Sequence, residues 1–231
     1  MKINSAVLRR TELFAKLDIS ALNDVVRYGR SRRIPRGRTI FRLGDAAMAC
    51  HLLLSGRVRI AQADAGNNVI IRYVGPGQIF GALALFHGGR YPADATAVTD
   101  CVEIQWSSTA ITELMQRYPR IALNALAIVG RRLDELQHRV RELATESVDR
   151  RIAHTLLRLA QHAGRKVKGR IEISFPLSRK DLAAMSGTAH TTVSRILSDW
   201  QAEGIIMSAR KRIFVCDLRK LEAVASGAPL R

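Results

Sequence analysis

No proline interrupts the chain between Pro119 and Pro176, and within that stretch apolar residues fall at Leu126, Val129, Leu133, Leu136, Val140 and Leu143. Their alternating steps of three and four make a two-position heptad seam on one helix. The neighbours are charged: Arg131, Arg132, Asp134, Glu135, Arg139, Arg141 and Glu142. A stripe this narrow on a helix this polar covers too little area to be an ordinary core face. The pattern predicts a long helix whose seam meets its own copy in a second subunit. It also divides the chain into two parts of different character.

Before the seam the period is two. Ten of the 16 glycines precede residue 90. They punctuate short β-like runs at Thr39–Phe41, His51–Leu54, Val58–Ala61, Val69–Val74 and Ala95–Val98, after a short amphipathic helix at Ser20–Tyr28. Many short strands with Gly/Pro turns predict an antiparallel barrel or sandwich. The 231 residues contain no apolar run near the ~18–20 that a membrane span needs. Met1–Arg10 has no apolar export signal, so a cytoplasmic protein without membrane partners is expected. Cys50, Cys101 and Cys216 form neither a disulfide framework nor a metal-ligand pair. No nucleophile elbow, Walker loop, HExxH or paired-carboxylate spacing points to an enzyme.

After the seam, a new helix is expected from about residue 147, then a basic loop at Gly164–Gly169 and a short strand at Ile171–Phe175. Ser178 and Asp181 have the spacing of a capping box at the start of a short helix. Gly187 suits a tight turn and Thr188 suits the cap of a second helix. In that helix Val193, Ile196, Leu197 and Trp200 share an inner face, leaving His190, Thr191, Ser194, Arg195 and Ser198 outside. This is the form of a helix-turn-helix. The runs Ile205–Met207 and Ile213–Cys216 predict a hairpin wing with a basic tip. Arg195 can pair bidentately with guanine, and Arg179, Lys211 and Arg212 can hold phosphates. The net charge of +17 favours a polyanionic partner. It does not locate one, because seven arginines lie between Arg27 and Arg42, far from this motif.

Ile34-Pro-Arg-Gly37, Gly44-Asp45, Leu54-Ser-Gly-Arg-Val58, Gly75-Pro-Gly77 before Phe80–Leu85, and Thr192-Val-Ser-Arg195 together resemble the CRP/FNR superfamily of bacterial transcription regulators. The resemblance implies an α+β protein. Residues 1–118 would form a β-roll effector domain like a cyclic-nucleotide-binding domain, 119–146 a dimerisation helix, and 147–231 a winged helix-turn-helix. It also implies a homodimer on an inverted-repeat DNA operator, with RNA polymerase as a further partner of an activator. DNA contacts would fall to Arg179, Thr188, His190, Thr191, Ser194, Arg195, Lys211 and Arg212.

Departures from the family pattern narrow this. Ala82 replaces the glutamate that holds the ribose of cyclic AMP, and Pro92 aligns with the phosphate-binding arginine, so cyclic AMP is excluded. No cysteine precedes Cys50, which excludes the FNR-type iron–sulfur cluster. Thr191 stands where a glutamate usually reads cytosine, and this form of the helix resembles the nitrogen-oxide-responsive (NnrR/DNR-like) group of denitrification regulators, some of which bind haem. The expected effector pocket comprises Gly81, Ala82, Leu83, His87 and Arg90. His87 is the foremost haem-ligand candidate, ahead of His51, His138 and His154. The alternatives are ligand-independent control, a thiol switch, and a stand-alone ligand-binding module, which the Thr192–Arg195 motif opposes.

Overall fold

The short runs of the first half pair into two sheets in the computed structural model, which describes residues 5–64, 67–86 and 89–228. In chain order come α1 (Ser5–Arg9), a 3-10 turn (Glu12–Phe14), α2 (Ile19–Tyr28), β1 (Arg30–Ile34), β2 (Thr39–Phe41), β3 (Ala49–Ser55), β4 (Val58–Asp64), β5 (Asn67–Val74), β6 (Ile79–Phe80), α3 (Ala82–Phe86), β7 (Asp94–Ala97), β8 (Cys101–Ser107) and α4 (Ser108–Arg117). The four-stranded sheets have the orders β1-β8-β3-β6 and β2-β7-β4-β5. Alternation along β3 and β8 shows why two cores form. Cys50, Leu52, Ile104 and Trp106 join Leu8, Phe14, Leu22 and Val25 in a core against the helices. Leu53 and Cys101 turn the other way and pack with Phe41, Val58, Val74 and Phe80. Trp106 donates its indole N–H to the Val25 carbonyl at 2.8 Å, which removes the cost of burying it.

The chain divides into two compact units: the chain through Gln62 with Ile71–Leu136, and Ala63–Ile70 with Gln137–Arg231. The division falls inside α5 (Pro119–Thr145), a single helix that opens on a proline. Leu126, Val129, Leu133, Leu136, Val140 and Leu143 are all 43–67% exposed on it.

The second unit contains α6 (Val148–Ala163), β9 (Gly164–Val167), β10 (Arg170–Ile173), α7 (Arg179–Ser186), α8 (His190–Ala202), β11 (Ile206–Ala209), β12 (Arg212–Val215) and α9 (Leu218–Ser226). Its sheet order is β11-β12-β10-β9. The expected basic loop at 164–169 is a strand paired with β10. Lys168 and Gly169 both have positive φ, 48° and 78°, as a two-residue hairpin turn requires. The charges of Arg165 and Lys166 mask an edge strand whose side chains face water. The last nine residues of α5 belong to this unit because they hold on to it. Arg139 donates to the Met185 carbonyl at 2.9 Å, and Glu142 accepts from Arg158 at 2.5 Å.

Candidate nucleic-acid interface

The reading head is built from a local sequence code. Ser178 Oγ accepts from the Asp181 amide at 3.1 Å, and Asp181 accepts from the Ser178 amide at 2.8 Å, so the capping box closes at the start of α7. Gly187 ends α7 at φ 62°. That positive φ favours glycine, and a Cβ there would lie 2.9 Å from Leu143 Cδ2. Arg151 fixes the turn by donating to the Ser186 and Gly187 carbonyls at 3.0 and 3.3 Å.

Thr188 does not cap α8, contrary to expectation. The capping position is Ala189, and no side chain reaches the first-turn amides. The Thr188 amide bonds back to the Ala183 carbonyl at 3.2 Å, which commits Thr188 to the turn. The open amides and the positive end of the helix dipole suit an anion.

Along α8, Val193, Ile196, Leu197 and Trp200 are buried. His190, Thr191, Arg195 and Ser198 are exposed, and Ser194 is half-buried. Arg195 is fixed outward with its side chain 71% exposed, 3.5 Å from Asp199 one turn on. Sequence periodicity places Asp199 outside as well, so this ion pair was legible from the i,i+4 spacing. Ser198 Oγ donates to the Ser194 carbonyl at 2.9 Å.

The wing stands beside α7. Ala209 pairs with Arg212, leaving Arg210 and Lys211 as the tip, with Lys211 at φ 59°. The Leu177 amide donates to the Lys211 carbonyl at 3.0 Å, and Arg179 reaches Ser208 Oγ at 3.4 Å. Gln201 Oε1 accepts from the Ser208 amide at 3.0 Å and ties the wing to the end of α8. A groove of about 520 Å³ opens here between Arg179, Lys180, His190, Arg210 and Lys211. Lys180 is a cation that sequence reasoning left out, whereas Arg210 belongs to the basic tip expected of the wing.

Arg212 has a partner within the protein as well. Its guanidinium donates twice to Glu172 Oε1, at 2.8 and 2.6 Å, and lies 5.0 Å from the Phe214 ring centroid. Arg165 donates to the other oxygen at 2.8 Å. Arg212 thus partners a buried carboxylate while its side chain stays 58% exposed. The Arg165 and Arg212 hydrogen bonds hold Glu172 below the usual carboxylate range. A depressed folded-state value adds stability above the unfolded value of about 4.3, and that stability is lost as pH falls through the folded one. Glu172→Gln should lower the urea midpoint at pH 7 and flatten its decline on acidification. Midpoints measured from pH 7 down to pH 3 check this.

The residues expected at the effector pocket are placed as follows. Gly81 has φ 76°, and a Cβ there would lie 3.0 Å from the His51 ring. Ala82 opens α3, Leu83 is 55% exposed, and Arg90 donates to the Gly44 carbonyl at 2.7 Å. His87, with its haem-ligand reading, lies outside the described residues. His51 is buried between Glu103 at 3.2 Å and the Tyr91 hydroxyl at 3.4 Å. His138 lies 2.8 Å from Arg141, and His154 lies 3.3 Å from Glu146. Among the described residues, no cluster of His, Cys, Asp and Glu could hold a metal ion. Burial pushes the Cys50 thiol up to about 12, which leaves it a packed thiol rather than a reactive one. Among the described residues, no helix is long and apolar enough to cross a membrane.

Comparisons with known proteins agree with this geometry. Residues 150–224 match the Crp-like helix-turn-helix domain, and residues 31–118 match the cyclic nucleotide-binding domain. A curated relative, the cyclic AMP receptor protein of Thermus thermophilus, is 30% identical over 95% of this chain and 99% of its own length. The transcriptional activator protein FnrA of Stutzerimonas stutzeri is 27% identical over 91% of this chain and 86% of its own. A solved CRP-family transcriptional regulator from Thermus thermophilus is 30% identical with a TM-score of 0.71, covering 87% of this chain and 98% of that one.

Proposed function

This chain belongs to the CRP/FNR family of transcription regulators, and on that premise we propose that it binds an inverted-repeat operator as a homodimer and does not respond to cyclic AMP. The observation that carries the reading is the outward face of α8, with exposed His190, Thr191 and Arg195 beside a cationic groove. That face matches the width and chemistry of the DNA major groove. The uncapped start of α8, with Arg179, Lys180, Arg210 and Lys211, supplies phosphate contacts. The exposed heptad seam supports the dimer. Two symmetric reading heads would demand half-sites about one helical turn apart.

The relative named as a cyclic AMP receptor does not bring its ligand to this chain. Ala82 offers no carboxylate, and the Arg90 guanidinium is engaged by the Gly44 carbonyl. The form of the recognition helix from Gly187 to Arg195 supports a place beside the nitrogen-oxide-responsive regulators, with genes of anaerobic or nitrogen-oxide metabolism as targets.

Operator titrations at several salt concentrations test the reading. Lys211→Ala should weaken all sequences about equally and lower the salt slope by about one unit. Loss of base preference in that variant would put the wrong element in the groove.

A further inference from the structure

The arginines between Arg27 and Arg42 lie on the β-roll, and the helix-turn-helix does not use them. Arg27 lies in the last turn of α2, while Arg30 and Arg32 stand on β1, an edge strand of its sheet. These side chains form part of the rim of a cavity of about 640 Å³. That size is within the usual range for small-molecule sites. None of Gly81, Ala82, Leu83 and Arg90 lines it. A second concavity of about 430 Å³ continues past Ile40, Phe41 and Asp45 to Arg38 and Arg42.

Charge in this region is unbalanced. Arg32 is committed, with Nη1 donating to Gln105 at 2.9 Å and Nε 3.7 Å from the buried Glu103. Glu103 is also met by His51, so its charge stays inside the roll. Arg27, Arg30, Arg38 and Arg42 have no side-chain partner among the described residues. Asp45 is the acid that lines both concavities, and one of its oxygens already accepts from the Arg42 amide at 2.8 Å.

The remaining walls mix the polar Asp45, His51, Gln105 and Ser107 with aromatic and thioether groups. Tyr28 and Met48 are exposed at the rim, 41% and 68%. Beneath them Phe41 and Tyr91 stack with centroids 3.7 Å apart and planes 8° from parallel. Exposed arginines over an aromatic and thioether surface can bind charge and a ring at once.

We propose that this cavity binds a small organic anion carrying an aromatic ring, a phosphate or carboxylate whose charge sits on Arg27 and Arg30 while its ring packs against Tyr28 and Met48. The site is separate from the family-type effector pocket and does not depend on the DNA reading.

The test is a titration of full-length protein, labelled with ¹³C at methionine methyls, with phenyl phosphate. Met48→Leu identifies the Met48 signal. The expected result is a saturable shift of that signal, little response to inorganic phosphate, and none to benzyl alcohol. The double variant Arg27→Ala/Arg30→Ala should weaken binding at least about tenfold. Arg219→Ala, an exposed arginine on α9, controls for net charge and should bind as before. The proposal is overturned if Met48 shows no saturable shift, if the double variant binds equally well, or if polyglutamate but not phenyl phosphate moves the signal. That last outcome would make the surface a docking site for an acidic polypeptide.

Discussion

A chain carrying Leu133→Lys and Leu136→Lys is expected to sediment as a monomer and lose about 10²–10⁴-fold in operator affinity. That range is the advantage two linked binding heads have over one. In the protomer these leucines are 55% and 50% exposed, so the substitutions remove little packing within the chain. In a paired seam each knob sits in a hole of the facing helix, and lysine there would bury an unpaired charge. Circular dichroism should show the helix content retained. If the variant sediments as a dimer, the subunits meet elsewhere.

The second large effect is expected at Arg195. A bidentate arginine–guanine contact gives roughly 1–3 kcal/mol of discrimination, tenfold or more at one base pair. Arg195→Ala should therefore flatten preference at one symmetric position in each half-site and leave the other positions unchanged. The Asp199 ion pair does not prevent this. An exposed i,i+4 pair is worth only a few tenths of a kcal/mol, so the guanidinium is released readily to a base. Binding to operators varied at each position checks the expectation, and unchanged preference would move the reading role to Thr191 or His190.

The reading head was legible in the sequence because its determinants are local. A capping box, a glycine at positive φ and an apolar period of three and four all act within a turn or two of chain. What was not legible depends on distant partners. Strand β1 is mostly arginine and shows no alternation on its own. It is a strand because Arg30–Ile34 pairs with Gln105–Cys101 of β8, some seventy residues on. The role of Arg212 depends on Glu172, brought beside it by the β10–β12 pairing. Thr188 failed as a cap because the turn places its amide on α7 and gives the capping position to Ala189. The arginine-lined cavity was hidden for a similar reason. The folded chain shows a cavity at the start of β1, where arginine charge and an aromatic layer from β2, β3 and the loop before β7 converge.

Leu143 belongs both to the seam and to the surroundings of the reading head. It is the last residue of the seam, and its Cδ2 lies 2.9 Å from where a Cβ at Gly187 would stand. Arg139, one turn earlier, holds the carbonyl of Met185. The end of the long helix is therefore keyed into the bend between α7 and α8. In mechanical terms the last nine residues of that helix act as a splint on the α7–α8 bend, so substituting Arg139 would loosen the reading head although Arg139 is not part of α8.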